Sequence, residues 1–582
     1  MKTITPRDEN PCRPRHFRPG PCMPVAAEGT GRNLLETSHT RLIITGALLC
    51  LAFFVISARL VEVGGFKSGD VHPAHGPIAN RSEAGRADIV DRNGALLATT
   101  LQATSLFANP KEVLHPREAA HKLVKVLPDL NEADVLAKLT SDKSFIWLKR
   151  HLTPRQQDAV NRLGIPGVDF QAEDQRLYPQ ANTLAHLIGY TDIDNRGLAG
   201  VERGLDDELR SRHKPLELSI DLRIQAILRE EILRQMDEFR ASGGSGIIMD
   251  VATGEVIALV SLPDFDPNDP SASPPENLFN RVTLGTYEIG SVFKIFTTAM
   301  ALDAHVATME SSYDATHPLV VDRFTIHDDH PQRRWLTVPE IFMYSSNIGA
   351  ARMALDAGGD RQRDFLGRLG LLKAPTVELP EVAAPLVPSP WRPINTMTIG
   401  FGHGISVSPL QIATAVSAVV NGGVLHRATL LKVRPGQPVP GRQVVSAETS
   451  TEMRKLMRLV VEKGTGKLAE APGYLVGGKT GTAEKVSGRG YNTHALISSF
   501  AGVFPMNAPR YFVMISIDEP HGDAKSFGNA TGGWVAAPGV AHTVARMASL
   551  VGIQPVDEES PEIRRSLVIA LPPPSGRKFA AN

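Results

Sequence analysis

The stretch YEIGSVFKIF, Tyr287–Phe296, places a serine and a lysine three residues apart in an otherwise apolar run. The residues that follow stay apolar on most sides, which is typical of a buried helix. Residues three apart share one helix face, so the amine of Lys294 can reach the hydroxyl of Ser291. Burial favours the neutral form of lysine, and a neutral amine beside a hydroxyl is a general base beside a nucleophile. The stretch therefore predicts a buried helix with a catalytic serine in its first turn.

The Ser-x-x-Lys pattern is weak by itself, because it occurs three times in the chain. Ser211 and Lys214 are followed at once by a proline, and Ser575 and Lys578 lie in a Pro-rich terminal stretch. Neither of these contexts can open a buried helix. Only the pair at Ser291 has a context that suits nucleophilic catalysis.

Two further motifs follow in the chain. Tyr344-Ser345-Ser346-Asn347 contains a Ser-x-Asn, and Lys479-Thr480-Gly481-Thr482 is a Lys-Thr-Gly-Thr. Each alone is an ordinary helix cap or strand-end turn. Together, in this order and 54 and 134 residues apart, they match the three-part signature of the penicillin-recognising serine enzymes.

Composition sets limits on the other function classes. The chain has 582 residues, which is long enough for two or three domains. Lys plus Arg and Asp plus Glu both number 62, so the charge balance gives no support for a nucleic-acid partner. The three cysteines, Cys12, Cys22 and Cys50, lie near the start and are not spaced like a zinc site. We therefore expect no metal site and no nucleic-acid partner.

A single apolar segment near the start suits a membrane span. Leu42–Ala58 carries no charge and is bounded by Arg41 and Arg59, and as a helix it reaches roughly 26 Å. The segment predicts one transmembrane helix over 42–60. The alternatives are a buried core helix and a cleaved signal peptide, for which the cleavage context is poor. By the positive-inside rule, the basic tail before the span is cytoplasmic and the bulk of the chain lies outside.

The remainder reads as an α+β protein. Asn93-Gly94 predicts a tight turn between strands, and His115–Leu127 and Glu132–Thr140 read as helices. A break at ASGGSG, 241–246, precedes a hairpin over Gly246–Ser261, and a second hairpin joins Ala495–Phe504 to Arg510–Asp518. Strands at both ends with helices between them predict an antiparallel sheet flanked by helices. The expected domains are a cytoplasmic disordered tail 1–41, the transmembrane helix 42–60, a linker 61–85, a pedestal domain 86–220, a catalytic domain 221–555 and a flexible C-terminal tail 556–582.

With these motifs in place, the chain resembles the class B penicillin-binding proteins, most closely their division-specific (FtsI-type) branch in Gram-negative bacteria. RADIVDRNGALLA, from Arg86, and the segment Arg176–Leu209 resemble the family's membrane-proximal pedestal. GHGISVSPLQ, Gly402–Gln411, and EKGTGKLA, Glu462–Ala469, resemble its catalytic domain. Two departures stand out, because Ile289 replaces a frequent proline and Leu205 replaces a frequent aromatic residue.

The resemblance implies a serine-type D,D-transpeptidase mechanism that needs no cofactor. Ser291 would attack the penultimate D-Ala of a peptidoglycan stem peptide and release the terminal D-Ala. Lys294 would be the base, and Ser345 would relay a proton. Asn347 would bind the substrate amide and Lys294, and Lys479 would support the proton network.

The resemblance also implies how substrate is held. Thr480, Gly481 and Thr482 would bind the substrate, with the two hydroxyls on the substrate carboxylate. The backbone N–H groups of Ser291 and Thr482 would form the oxyanion hole. β-Lactams would acylate the serine as mimics of D-Ala-D-Ala.

By the same resemblance, the protein would be a single-pass inner-membrane enzyme with a periplasmic catalytic domain, working at the division septum. Its expected partners are stem peptides, β-lactam antibiotics, the septal glycan polymerase and other divisome membrane proteins. The charged loop HDDHPQRR, His327–Arg334, is interpreted as solvated and receives no role. None of the scattered histidines is expected to be a ligand.

Four alternatives stay open. A serine β-lactamase of class A would carry Glu-x-x-Leu-Asn between the second and third motifs, and no such sequence occurs there. A D,D-carboxypeptidase transfers the acyl group to water, and sequence separates it poorly from a transpeptidase. A membrane-bound β-lactam sensor would need a larger cytoplasmic domain. A catalytically silent divisome scaffold is disfavoured by the intact motifs.

Overall fold

The computed structural model describes residues 47–57, 85–212, 214–321, 324–487 and 490–571. The chain forms two units, Met1–Ser82 and Glu83–Asn582. In the first unit, 47–57 form helix α1 with exposed apolar side chains, among them Phe53 and Phe54. Within the ranges given above, no helix has the length and apolar character to cross a membrane. The predicted span 42–60 includes α1 and also residues outside the description. The tail 1–41 and most of the linker 61–85 lie outside the description as well.

The second unit begins with the pedestal, in which a long strand pairs along both of its edges. The strands are β1 Ile89–Val90, β2 Leu96–Ala108, β3 Ile146–Leu152, β4 Val168–Leu177 and β5 Leu216–Glu217. The helices are α2 Pro116–Val126, α3 Glu132–Leu139, α4 Pro154–Asn161, α5 Ala185–Ile188, α6 Gly200–Gly204 and α7 Asp206–Ser211. The order is β3-β2-β1-β5, with β4 on the other edge of β2. The turn predicted at Asn93-Gly94 joins β1 to β2, and α2 and α3 confirm the two predicted helices.

A buried charge cluster ties the start of the pedestal to its end. The Glu202 carboxylate accepts from Arg86 Nε, and its other oxygen accepts from Arg176 Nε at 2.7 Å. Arg86 also donates to Asp206 at 2.6 Å. The side chains of Glu202, Arg86 and Arg176 are at most 2 % exposed. These charges are removed from water, so each depends on its partners for stabilisation.

We expect Glu202→Gln to lower the free energy of unfolding by about 3–5 kcal/mol, because the buried Arg176 would lose its countercharge and Arg86 would keep only Asp206. Denaturant titration of the full chain would measure the change. Glu132→Gln, at a half-exposed pair with His121, is the matched control and should have little effect. An unchanged midpoint for Glu202→Gln would contradict the assigned role of the cluster.

The part of the second unit that follows the pedestal contains the predicted catalytic domain and is called the catalytic part below. It is built on a second antiparallel sheet. Its strands are β6 Gly243–Asp250, β7 Val256–Leu262, β14 Gly477–Ser487, β15 Gly490–Phe504 and β16 Tyr511–Asp518, in the order β14-β15-β16-β6-β7. Smaller ladders are formed by β8 Ser312–Asp314, β9 Leu319–Val321, β10 Phe324–Ile326, β11 Trp335–Thr337, β12 Val424–His426 and β13 Gly441–Gln443. The two predicted hairpins are β6–β7 and β15–β16. The predicted antiparallel sheet with flanking helices is therefore confirmed.

Helices cover both faces of this sheet. They are α8 Leu222–Glu238, α9 Lys294–Asp303, α10 Val338–Tyr344, α11 Asn347–Ala357, α12 Gly359–Arg368, α13 Pro393–Gly400, α14 Pro409–Val420, α15 Ala447–Glu462, α16 Gly532–Val535, α17 Ala537–Met547 and α18 Pro561–Leu567. Ile248 and Val513 share a core with α8 and α17, whereas Ile247 and Met514 share one with α9 and α14. Adjacent residues thus point to opposite cores, as the strand period of two requires.

The predicted break at 241–246 is wrong for most of its length, because β6 starts at Gly243. A Cβ at Gly244 would lie 2.5 Å from Ile232 Cγ2, and one at Gly246 would lie 2.7 Å from Ile232 Cδ1. The glycines are therefore strand residues that let α8 pack directly on the sheet. Sequence patterns that treat glycine as a breaker cannot anticipate this use.

The predicted flexible tail 556–582 is also wrong over its first half. Helix α18 occupies Pro561–Leu567, and Leu567 is only 4 % exposed. Before it, Glu558 accepts from Arg458 at 2.8 Å and from the Gly473 amide at 2.6 Å. The segment is anchored by a buried guanidinium and an apolar contact, and the residues from 572 lie outside the description.

The pedestal contacts the catalytic part through helix α6. A Cβ at Gly204 would lie 1.9 Å from the Glu378 carbonyl oxygen, so the two backbones touch. The Glu381 carboxylate accepts from the Gly200 amide at 3.3 Å. Leu205 is partly buried against the core that continues from one part into the other. Leu205, an aliphatic residue, thus packs at the position where the resembling family often has an aromatic one.

Candidate active site

Ser291 lies at the junction of three backbone segments. A 3₁₀ turn, Gly290–Phe293, leads into α9, so the serine precedes the α-helix by three residues. Gly290 has φ +52°, and a Cβ there would lie 2.4 Å from the Thr482 carbonyl oxygen. A Cβ at Gly402 would in turn lie 1.9 Å from the Gly290 carbonyl oxygen. Glycine at 290 and 402 lets the serine backbone sit against both neighbouring segments.

Lys294 is at the centre of the site. Its Nζ donates to Ser291 Oγ at 2.7 Å, to Asn347 Oδ1 at 2.6 Å and to the Ser345 carbonyl oxygen at 2.9 Å, and it lies 3.2 Å from Ser345 Oγ. The residue is 1 % exposed. Burial lowers the pKa of Lys294 to about 7, while the charges of Asp329 and Asp328 act in the opposite direction. The amine is therefore available as a base at neutral pH.

Lys479 completes a continuous proton path. Its Nζ donates to Ser345 Oγ at 2.9 Å, and the residue is fully buried. Burial, and then the charge of Lys294, hold the pKa of Lys479 well below its usual value. Two adjacent buried amines repel each other when both are cations. The pair therefore favours a state in which at most one of the two amines is positively charged. Ser345 Oγ bridges them and can pass a proton between them.

Ser345 is held in an unusual backbone conformation. It follows α10 with φ 62° and ψ 39°, the left-handed region that side chains rarely adopt. The flanking helices keep it there, because Thr337 and Glu340 form a capping box at the start of α10, and Ser346 caps α11 by accepting from the Gly349 amide at 3.0 Å. This bend aims Ser345 Oγ and Asn347 at the same amine.

The loop His327–Arg334, which received no role from sequence, is part of the site. Asp328 accepts from Ser346 Oγ at 2.8 Å and from the Ile348 amide at 2.9 Å. Asn347 Nδ2 donates to the His327 carbonyl oxygen at 2.9 Å. The loop therefore fixes the Ser-x-Asn motif from outside. The only signal in the sequence was the pair of adjacent aspartates ahead of the motif.

We expect Asp328→Asn to slow acylation about tenfold, since weakening a charge-assisted hydrogen bond costs about 1.5 kcal/mol and that equals a tenfold rate change. Stopped-flow acylation by a fluorescent penicillin would measure it. Asp314→Asn is the control, because Asp314 accepts from the Thr316 amide at 2.9 Å outside the cavity lining. Equal rates for the two variants would contradict the positioning role of Asp328.

Strand β14 forms the opposite wall. Thr480 and Thr482 both line the cavity, with Gly481 between them. Thr480 Oγ1 lies 2.8 Å from Thr465 Oγ1, and Thr482 Oγ1 accepts from the Gly532 amide at 3.1 Å. A Cβ at Gly481 would lie 2.4 Å from the Ile289 carbonyl oxygen, so this strand runs directly against the serine segment. The hydroxyl proton of Thr482 remains available to an anionic ligand.

The cavity in front of Ser291 has a volume of about 1300 Å³. Ser291, Ser345, Asn347 and the β14 threonines line it, together with aromatic side chains that include Phe401 and Trp534. It is large enough for a peptide end as well as a second ligand. The structure thus brings all eight predicted site residues to one place, although Gly481 contributes backbone only.

The competing Ser-x-x-Lys pair at Ser211 lacks these features. Ser211 ends α7 in an exposed position, and its hydroxyl donates to the Asp207 carbonyl oxygen at 2.9 Å. Lys214 is exposed as well. The pair at Ser575 lies outside the described residues. Among the residues that the structure does describe, no group of three or more His, Cys, Asp or Glu is arranged to hold a metal ion.

A serine in the turn that opens a helix lies beside two buried lysines and against the edge strand of a five-stranded antiparallel sheet. This arrangement defines a serine acyltransferase of the penicillin-recognising class. The model of the penicillin binding protein transpeptidase domain matches residues 244–544, and that of the penicillin-binding protein dimerisation domain matches 81–222. The chain therefore belongs to the penicillin-binding protein transpeptidase family, which confirms the family predicted from sequence.

Several relatives and solved structures are similar over most of the chain. The probable peptidoglycan D,D-transpeptidase FtsI of Caulobacter vibrioides is 42% identical, with 82% of this chain and 83% of that protein covered. The peptidoglycan D,D-transpeptidase FtsI of Escherichia coli is 29% identical, with 87% and 91% covered. The structure of penicillin binding protein 3 from Mycobacterium tuberculosis complexed with aztreonam aligns with a TM-score of 0.65 at 25% identity, covering 84% of this chain and 99% of that one.

Proposed function

We propose that the protein is a peptidoglycan D,D-transpeptidase that cross-links stem peptides through an acyl-enzyme on Ser291. The observation that carries the proposal is the unbroken hydrogen-bonded path from Ser291 through Lys294 and Ser345 to Lys479. Two relatives named as peptidoglycan D,D-transpeptidases support the substrate class.

In the acylation half, neutral Lys294 takes the proton of Ser291 Oγ as the oxygen attacks the carbonyl of the penultimate D-Ala. The N–H groups of Ser291 and Thr482 bind the developing oxyanion, and the contact between Gly290 and the Thr482 backbone supports this pairing. The proton then passes through Ser345 to the leaving nitrogen, and D-Ala departs. The terminal carboxylate of the donor is held by the hydroxyls of Thr480 and Thr482, with the charge of Lys479 behind them.

In the second half, the amine of a neighbouring stem peptide attacks the acyl-enzyme. Lys294 accepts a proton from the attacking nitrogen and returns it to Ser291 Oγ as the ester bond breaks. A β-lactam enters the same path through its ring carbonyl, but its leaving group stays attached, so that we expect a stable acyl-enzyme.

We further propose that the enzyme acts at the division septum, anchored by the segment 42–60 with its catalytic part in the periplasm. Relatives named FtsI support the assignment, as does the uncharged stretch Leu42–Ala58. The septal glycan polymerase and other divisome membrane proteins are the proposed partners. Replacing Leu42–Ala58 by an unrelated membrane span should abolish their co-purification, and unchanged co-purification would argue against contacts through this segment.

Product analysis tests the reaction itself. The full-length protein would be incubated with a stem pentapeptide donor and an amine acceptor, and the products would be separated by mass. A transpeptidase gives free D-Ala together with the cross-linked dimer. Release of D-Ala with tetrapeptide alone would indicate a carboxypeptidase, and rapid catalytic loss of a chromogenic cephalosporin would indicate a β-lactamase. If neither D-Ala release nor acylation is observed, only the role of a catalytically silent scaffold remains.

A further inference from the structure

His403 projects into the active-site cavity from a segment that is fastened on both sides. Its neighbours Gly402 and Gly404 have φ of +95° and +79°. Gly402 lies against the Gly290 carbonyl, as described above, and the Gly404 amide donates to Glu288 Oε1 at 2.9 Å. The ring of His403 is half-buried and packs on Phe401 with centroids 5.3 Å apart. The imidazole is thus fixed relative to the segment that carries the nucleophile.

Asp329 brings a carboxylate to the same cavity. Its neighbour Asp328 is fully engaged with the Ser-x-Asn motif, whereas Asp329 is exposed, lines the cavity and forms no hydrogen bond to the residues that the structure describes. Its negative charge acts on the buried amines of Lys294 and Lys479 and on the ring of His403. A carboxylate in this position is suited to a cationic ligand.

The proposed reaction needs such a place, because its second substrate arrives as an ammonium ion. An ammonium cannot attack an ester until it loses a proton, and Lys294 must be neutral to receive the second one. The buried lysine pair disfavours another positive charge nearby. For the same reason, an ammonium that enters the cavity gives up its proton more readily than it does in water.

We propose that Asp329 and His403 form the site that binds and deprotonates the acceptor amine. Asp329 holds the ammonium at the mouth of the cavity, and the neutral imidazole of His403 takes its first proton. The inference rests on the proposed function and deepens it, because it names where the second substrate binds.

The proton balance closes over the cycle. The ammonium transfers one proton to His403, which releases it to solvent. The free amine forms a C–N bond to the acyl carbonyl and gives its second proton to Lys294. As the bond between that carbon and Ser291 Oγ breaks, Lys294 returns this proton to the serine oxygen. No oxidant, reductant or further reactant is required.

The charges around His403 agree with a neutral ring at rest. Burial is the main cause that lowers the pKa of His403, the charge of Lys294 lowers it further, and the charge of Asp329 opposes both. Glu288 lies on the adjacent segment. The other charged or titratable side chains that line the cavity are Lys467, Arg392, Glu484, Tyr344, His327 and His330.

The test separates acylation from transfer in the full-length protein. In His403→Gln, acylation of Ser291 by a fluorescent penicillin should stay within about twofold of the parent. Transfer of an acyl group from a thioester donor to glycinamide at pH 7 should fall about tenfold, because an α-amine with a pKa of about 8 is about one tenth neutral at this pH and that fraction reacts without the base. The remaining transfer should rise with pH in step with the free-amine fraction. His403→Tyr, which keeps an aromatic ring against Phe401, should behave alike.

Hydroxylamine provides the decisive comparison, since it is already neutral at pH 7. With this acceptor, His403→Gln should match the parent. Asp329→Asn should raise the KM for glycinamide and leave the KM for hydroxylamine unchanged. His121→Gln, an exposed histidine of the pedestal, is the control.

Three results would overturn the inference. One is an equal loss of acylation and transfer in His403→Gln and His403→Tyr, which would indicate a structural role. Another is an unchanged rate of transfer to glycinamide. A third is the same loss with hydroxylamine as with glycinamide. Absence of penicillin labelling in the parent protein would instead remove the proposed function, and this inference with it.

Discussion

Ser291→Ala is expected to abolish covalent labelling by a fluorescent penicillin. The hydroxyl is the only group at this position that can form the acyl bond, and its removal leaves Lys294 with its other partners. Loss of a catalytic serine costs on the order of 10⁶-fold in rate in a well-studied serine enzyme, so no labelled band should remain on a gel. The change removes one oxygen atom from a partly buried position, and the fold should survive.

The matched control is Ser211→Ala. It removes the serine of the other described Ser-x-x-Lys pair, which is exposed on the pedestal. This variant should be labelled as strongly as the parent. Thermal unfolding of Ser291→Ala, compared with the parent, verifies that the fold is intact. A band that persists in Ser291→Ala would move the nucleophile elsewhere and remove the basis of the proposed mechanism.

Lys294→Gln is expected to lower the acylation rate by about 10³- to 10⁴-fold, at the upper end of what a general base contributes. Glutamine keeps hydrogen-bonding capacity but cannot take the serine proton. Lys294→Arg should be equally slow, because a guanidinium stays protonated. In the parent, burial lowers the pKa of Lys294 to about 7. Acylation should therefore rise about tenfold per pH unit below pH 7 and level off above it.

Stopped-flow acylation across pH 5 to 9 would measure both the rate and the profile. Lys214→Gln is the control, since it alters the lysine of the exposed Ser-x-x-Lys pair. A rate in Lys294→Arg close to that of the parent would show that charge, rather than basicity, is what Lys294 supplies. A parent profile that is flat from pH 5 to 9 would assign the base to another group.

The residues of the candidate active site could be predicted because their chemistry is carried by short local patterns. Ser291 and Lys294 lie three residues apart and so share one helix face, and the second and third motifs are each a run of four residues. The order of the three motifs then supplied what no single motif could. The serine itself lies in a 3₁₀ turn ahead of α9, a local difference that the helix pattern does not distinguish.

The contributions of Asp328, Asp329 and His403 could not be predicted in the same way. Each acts on the site from a loop whose path depends on tertiary contacts, and an aspartate in a charged loop is usually solvated. The prediction of a break at the glycines of β6 is wrong for a related reason. Their function is to accept α8 across the sheet, and only the packed structure reveals the neighbour that requires a missing side chain.

The strand order of the catalytic sheet has a consequence for how the protein is made. Strands β6 and β16 are neighbours, and Arg510 donates to Asp250 across 260 positions of the chain. A ribosome delivers the first strand long before the second, and closing so long a loop is slow and entropically costly. Until β16 has been synthesised, the edge of β6 that pairs with it has no partner strand. A nascent chain that ends before Lys479 carries its nucleophile in an unfinished site, so acylating activity begins only when synthesis of the catalytic part is nearly complete.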